Sequence, residues 1–292
     1  MNQPLANIHP EARIGKNVVI DPFASIQKDV VIGEGSWIGS NAVIMDGARI
    51  GKNCRIFPGA VISGIPQDMK FAGEQSTAEI GDNTTVREFV TVNRGTKTKG
   101  KTIIGSNTLL MAYTHIAHDC VIGNNCILSN AVQVGGEVLI DDWAIIGGGC
   151  FIHQFCRIGK HVMISGMSGV LSDIPPFLRV AGIPVVYQGI NFIGLKRREF
   201  AKEVIDNIHE IYRIIYQEKM NTSQSIEHIE KTFEPSQEKE EIVSFIKGSQ
   251  RGIIKALDKG TTDKYNYQAS LPILFSIGSN PSDRIHRIES IG

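Results

Sequence analysis

Isoleucine recurs at every sixth position from Ile8 through Ile14, Ile20, Ile26, Ile32, Ile38, Ile44, Ile50 and Ile56 to Ile62. An α-helix turns every 3.6 residues and a long strand alternates every two, so neither accommodates a strict period of six. A short strand followed by a corner does. The same phase returns at Ile80, Val86 and Val92, and again from Ile104 through Ile116, Ile122 and Ile140 to Val170, so one architecture accounts for all three blocks. Two residues before each aliphatic stands a small or β-branched side chain, such as Ala12, Val18, Ala24, Ala42 or Ala60. The unit reads small, outward, aliphatic, turn. Glycines at Gly15, Gly33, Gly51, Gly81, Gly105 and Gly123 follow the aliphatic directly, where a corner benefits from a residue with no Cβ. Three units make a triangular coil of eighteen residues, the hexapeptide parallel β-helix, with coils stacked at one strand spacing of about 4.8 Å.

That register explains the cysteines. Cys54, Cys120, Cys126, Cys150 and Cys156 all occupy the small inward position, where a thiol packs as a little hydrophobe. No Cys-x-x-Cys pair is present, and an odd number of thiols is no disulfide framework. Thirty basic residues balance thirty acidic ones, so no global field draws the chain onto nucleic acid or an anionic membrane. No apolar run reaches the ~20 residues that a spanning helix needs, and no signal pattern opens the sequence. The expectation is a cytoplasmic protein with no nucleic-acid partner and no membrane insertion.

The phase breaks at 63–77 (SGIPQDMKFAGEQST) and at 93–101 (NRGTKTKGK), both polar insertions on a rigid solenoid, where function tends to gather. Asp68, Lys70 and Glu74 on the first are solvated charges or ligand contacts. The second reads as a flexible basic tip. From Val186 the six-residue phase is gone. Val204, Ile205, Ile208, Ile211, Ile214 and Ile215 then form one apolar helical face, with further helices predicted over 223–233 and 237–247. The expected organisation is a β-helix over 1–186, a helical domain over 187–255 and an extension over 256–292 to which no role attaches.

The stretch Met111-Ala-Tyr-Thr-His-Ile-Ala-His-Asp-Cys120 places two histidines and an aspartate around one coil. With Ile116 and Cys120 inward, His115 is outward on its strand and His118 lies at the following corner. Histidine takes and returns protons near neutral pH, and an adjacent acid fixes its tautomer, which suits Asp119 to His118. Two other readings fit the same residues. They are ordinary polar surface, or His115, His118 and His153 are nitrogen ligands of a zinc ion.

Seven ordered motifs narrow the choice: Pro66-Gln-Asp-Met-Lys-Phe-Ala-Gly-Glu74, His115-Ile-Ala-His-Asp-Cys120, Ala144-Ile-Ile-Gly-Gly148, His153-Gln-Phe-Cys156, Asp173-Ile-Pro-Pro176, NFIGLKRR over 191–198, and Ser249-Gln-Arg-Gly-Ile253. Together they resemble the UDP-N-acetylglucosamine O-acyltransferase family. The resemblance implies left-handed coiling, a homotrimer, and transfer of an (R)-3-hydroxyacyl group from acyl carrier protein to the 3-hydroxyl of UDP-N-acetylglucosamine, the first step of lipid A synthesis. It implies no cofactor, no metal and no covalent acyl-enzyme. By resemblance His118 is the general base, Asp119 its orienting acid and the Gly136 N–H the oxyanion donor. Gln67, Asp68, Lys70 and His115 meet the sugar and the acyl hydroxyl. His153, Gln154, Asn191, Arg197 and Arg198 meet the nucleotide, and Met163 and Gly166 line the acyl groove, Gly166 as its ruler. The sequence departs from the family at Glu137, where many members carry histidine, at Ile193, and at Gly182-Ile-Pro184. Acyl carrier proteins are generally acidic, and Lys196, Arg197, Arg198 and Lys202 with Lys97 and Lys99 are candidates for a docking rim.

Overall fold

The computed structural model describes residues 5–256. Residues 257–292, nearly all of the expected 256–292 extension, lie outside the described residues. Strands of two to six residues recur along the chain and stack into three parallel sheets, of nine, eight and ten strands among the described residues, with one antiparallel pair at the end. Sheet one starts with Asn7–Ile8, sheet two with Arg13–Ile14 and sheet three with Val19–Ile20. The chain turns a first corner from sheet one to sheet two, a second from two to three, and a third back to one.

Register shows why the phase survives the insertions. Asn7 pairs with Ser25, eighteen residues on. Val61 pairs with Thr91, thirty on, and Thr91 with His115, twenty-four on. The two loops therefore add twelve and six residues to a coil, whole repeats that leave every later aliphatic facing inward. The interior is filled by those aliphatics and by the small row, with Ile20, Ile38, Ile56, Leu110, Ile116 and Ile146 all fully buried. All five cysteines are free and buried as the repeat requires, and burial pushes the Cys120 and Cys126 thiols up to about 12.

The corner glycines are needed for close approach rather than for a left-handed backbone. A Cβ on Gly33 would lie 2.5 Å from the carbonyl of Gly51 on the next coil. Positive φ falls two residues later, and at the second corner asparagine fills that place repeatedly: Asn17, Asn53, Asn83, Asn107 and Asn125. Asparagine is among the few L-residues that enter this region at low cost.

After the last regular coil, strands Leu178–Gly182 and Val185–Ile190 form an antiparallel hairpin across a cis Ile183–Pro184 bond. The six-residue pattern gave no sign of it, and it carries the sheet past position 186. Four helices follow: α1 (Phe192–Arg197), α2 (Lys202–Gln217), α3 (Thr222–Thr232) and α4 (Gln237–Lys247). The expected apolar face is the buried side of α2, with Ile205, Ile208, Ile211 and Ile214 inside. Tyr212 on that helix donates to Pro176 O at 2.6 Å. Asp173 accepts from Arg157 N and from Ser249 Oγ, tying two of the ordered motifs together. Among the described residues no helix is long and apolar enough to cross a membrane.

Candidate active site

Both insertions and both histidines of the 111–120 stretch belong to the first corner or the strand that leads into it. His115 opens the strand His115–Ile116, and its outward ring contacts Thr91 Oγ1 through Nδ1 at 2.7 Å. Burial lowers its pKa, favouring the neutral ring. Three residues on, His118 stands in the turn. Neighbouring side chains on a strand point to opposite faces. At Asp119 the backbone is left-handed, with φ 60°, and this turn lets the two neighbours meet. His118 Nδ1 lies 2.9 Å from Asp119 Oδ2. The carboxylate is fully buried and the imidazole is not.

The other edge of the ring faces the next coil. A Cβ on Gly136 would fall 2.7 Å from His118 Nε2, so the absence of a side chain there is what gives the ring its room. Glu137 N donates to His118 O at 3.0 Å, while no backbone carbonyl among the described residues accepts from Gly136 N–H. The corner thus offers a ring nitrogen held by a carboxylate, a second nitrogen close to Gly136 of the next coil, and at Gly136 an N–H with no backbone acceptor among the described residues.

The second insertion is not the flexible tip that its composition suggested. Thr96 is buried and donates to Asp119 through N–H and hydroxyl, and Lys99 N–H adds a further bond. Lys99 Nζ turns back to Asp119 O at 3.3 Å and to Glu137 at 3.9 Å, while the residue stays exposed. Lys97 is exposed as well. The two insertions also hold each other: Lys97 N donates to Glu74 Oε1, Asn93 Nδ2 to Ile65 O, and the Arg94 guanidinium lies over Phe71. Glu74, though still partly open to solvent, therefore braces the two insertions. Gln67 and Lys70 are exposed on the first loop, and Asp68 Oδ1 accepts from Lys70 N.

The remaining expected residues divide among the corners. His153 and Gln154 are exposed at the first corner, one coil beyond Gly136, with His153 Nδ1 3.4 Å from Arg251 Nη2. Asn191 and Arg198 are at the second. There Arg198 stacks on Trp143 and donates to its carbonyl. Asn191 differs most from expectation. It caps α1 by accepting from Gly194 N, donates to His161 O and is 6% exposed, so its amide shapes the turn that presents the exposed Arg197. Met163 is on the outer face of sheet three, in a row with Leu109, Ile127 and Ile145. Gly166 is at the third corner, against Gly148 O. Within one chain His118, Arg198 and Gly166 therefore stand at three different corners. Within one chain, and among the described residues, no three His, Cys, Asp or Glu side chains are grouped to hold a metal ion.

Sequence reasoning missed Thr91, Thr96, Thr102 and Arg251. Their partners are one coil or more away, and nothing in a threonine's local context marks it.

Comparison with known proteins places these observations. Residues 173–254 match the family described as UDP N-acetylglucosamine O-acyltransferase, domain 2, and residues 29–64 and 101–136 match bacterial transferase hexapeptide repeats. An acyl-[acyl-carrier-protein]–UDP-N-acetylglucosamine O-acyltransferase of Anaeromyxobacter sp. (strain K) is 41% identical over 193 residues, 66% of this chain and 75% of the relative. The crystal structure of a UDP-N-acetylglucosamine acyltransferase from Bacteroides fragilis is 54% identical, with a TM-score of 0.86 over 87% of this chain and 100% of that one. Its counterpart from Francisella novicida is 40% identical, with a TM-score of 0.87 over 90% and 97%. The fold class is accordingly a left-handed parallel β-helix followed by a small helical region.

Proposed function

The chain belongs to the UDP-N-acetylglucosamine O-acyltransferase family, and from that premise we propose that it moves an (R)-3-hydroxyacyl group from acyl carrier protein to the 3-hydroxyl of UDP-N-acetylglucosamine, the first step of lipid A synthesis. The observation that carries the reading is the His118 ring, held at Nδ1 by Asp119 and facing Gly136 with Nε2. His118 Nε2 takes the proton of the sugar hydroxyl as the oxygen bonds to the thioester carbon. The carbonyl oxygen becomes an oxyanion, and the Gly136 N–H donates to it. Collapse of the tetrahedral intermediate breaks the C–S bond, and the imidazolium returns its proton to the leaving thiolate. Asp119 stabilises the imidazolium while it exists. No bond from the acyl group to the protein is needed.

Gln67, Asp68, Lys70 and His115 belong to the same corner as the base or to the strand leading into it, and would hold the sugar and the acyl hydroxyl. His153 and Gln154, farther along the same corner, would meet the nucleotide. Arg197 and Arg198 suit its diphosphate, since a guanidinium pairs two donors with two oxygens. Those arginines and the Met163–Gly166 groove belong to other corners, and this separation supports a homotrimer in which each cleft takes its base from one copy and its other walls from a neighbour. The outward Leu109, Ile127, Ile145 and Met163 row is an apolar strip suited to an acyl chain.

The test is direct. Purified protein given 3-hydroxyacyl carrier protein and UDP-N-acetylglucosamine should release free carrier thiol and form one O-acylated sugar nucleotide. His118→Ala should lower turnover by about 10²–10⁴-fold, the usual contribution of positioned proton transfer, without changing the sedimentation of the assembly. A folded His118→Ala protein with near-normal turnover would end the assignment of the base.

A further inference from the structure

Asp119 is a carboxylate with no exposure to solvent, a state that proteins keep only where the charge is hydrogen-bonded on every side. Its donors come from the second insertion. The Thr96 N–H forks to Oδ1 at 3.0 Å and Oδ2 at 3.2 Å, and the Lys99 N–H reaches Oδ1 at 3.2 Å. Backbone donors of this kind form an anion-binding nest, and they survive substitution of the side chain. One donor does not. The Thr96 hydroxyl lies 2.6 Å from Oδ2, the same oxygen that His118 Nδ1 approaches at 2.9 Å.

The direction of that hydroxyl bond is set by its surroundings. An ionised carboxylate only accepts, so the hydroxyl donates to it. Thr98 N–H in turn donates to Thr96 Oγ1 at 3.2 Å, occupying a lone pair and leaving the hydroxyl proton free for Oδ2. The loop itself is anchored, by Gly100 N to Thr96 O at 2.7 Å and by Asp119 N to Thr102 Oγ1 at 2.8 Å. A side chain at Gly95 would meet the Lys101 backbone, so the turn that delivers Thr96 is itself built around a glycine. A chain of donors therefore runs from Thr98 N–H through the Thr96 hydroxyl to Oδ2 and the imidazole.

We propose that Thr96 is a positioning residue for acyl transfer, fixing Asp119 Oδ2 so that His118 keeps its Nδ1 proton toward the carboxylate and its Nε2 open to the sugar hydroxyl. The inference rests on the reading of His118 as the base. By sharing Oδ2, the hydroxyl also limits how strongly that oxygen binds the imidazolium. Without it, Oδ2 is a stronger acceptor, the imidazolium is held more tightly, and the acid limb of the pH profile moves up. The other ionisable groups around the pair are Lys99 on the loop, Glu137 on the next coil and the inward Cys120. A threonine variant leaves all three in place.

The experiment compares Thr96→Val, Thr96→Ser and Thr98→Val in the assembled full-length protein. Valine matches threonine in shape and removes only the hydroxyl. Thr96→Val should lower kcat by about ten- to hundredfold, the range of one hydrogen bond to a charged group. KM for UDP-N-acetylglucosamine should stay within about twofold, and the acid limb of kcat/KM should rise by about half a unit or more. Thr96→Ser should restore both kcat and the limb. Thr98→Val, at an exposed hydroxyl on the same loop, should match wild type. A folded Thr96→Val protein with unchanged kcat and pH profile overturns the proposal, as does an equal loss in Thr98→Val. If Thr96→Val does not fold, Thr96→Ser decides: a loss of tenfold or more there also overturns it. His118→Ala run alongside separates the two readings, because an active His118→Ala removes the base, whereas an inactive one beside a normal Thr96→Val removes only the role of Thr96.

Discussion

The first and second corners are built from the same backbone and differ in what occupies it. At the second corner, glycine lets coils touch, asparagine takes the left-handed place, and side chains just before it brace the coil below. Asp82 Oδ1 accepts from Lys52 N at 2.7 Å, and Asp142 Oδ1 from Asn124 N at 2.7 Å. These carboxylates hold backbone. At the first corner the left-handed place is taken by Asp119, whose donors come from an inserted loop and whose free bonding direction is spent on a histidine. On the reading of His118 as the base, the difference is that the acid of the first corner is satisfied by inserted chain rather than by the neighbouring coil.

The largest effect should come from crowding the reactive corner. Gly136→Ala places a methyl 2.7 Å from His118 Nε2 and 2.8 Å from Cε1, so the ring must move. Turnover should fall about a hundredfold or more, the cost of misplacing a reacting group by an ångström, with the melting temperature nearly unchanged. Wild-type turnover in Gly136→Ala would mean that the ring is not held against that coil.

The third corner should alter selectivity and leave the chemistry alone. A Cβ on Gly166 meets Gly148 O at 3.2 Å and Gly148 N at 3.7 Å, so a side chain there needs a shift of a few tenths of an ångström and the protein should fold. In competition among 3-hydroxyacyl carrier proteins of graded length, Gly166→Met should prefer chains several carbons shorter than wild type does. Each buried CH₂ contributes about 0.8 kcal/mol when room exists and becomes a clash when it does not. The same length preference in both proteins would take Gly166 out of the groove.

Smaller effects belong to the second corner. Asp82→Ala removes one acceptor from an exposed backbone N–H and should lower stability by about 1 kcal/mol in denaturant titration, with kcat unaffected. A drop in kcat would blur the division between corners.

The last effect is a pH dependence of stability. His161 occupies the left-handed place at this corner between Trp143 and Phe177, and burial, with Arg198 nearby, lowers its pKa from 6.5 to about 4. As pH falls below about 6.5 the unfolded chain takes up the proton first, so the folded state loses stability down to about pH 4 and no further from this group. Phenylalanine already fills the same kind of place at Phe155 and Phe177. His161→Phe should therefore show a flatter decline in melting temperature between pH 6.5 and 4. Parallel declines in the two proteins would show that His161 titrates normally.

The division between what was legible and what was not follows the same corners. The period of six determined the sheets, the inward cysteines, the two insertions and the placing of His115 and His118, because a narrow interior admits one aliphatic row and any slip would turn it outward. Helical spacing likewise marked the buried face of α2. The hairpin over 178–190, the capping role of Asn191 and the hold of Thr96 on Asp119 were decided by tertiary structure. Each depends on a partner supplied by a distant segment, as with Asp119, twenty-three positions on from Thr96. Spacing within an element records which way a side chain faces, and carries no record of what a folded loop brings to meet it.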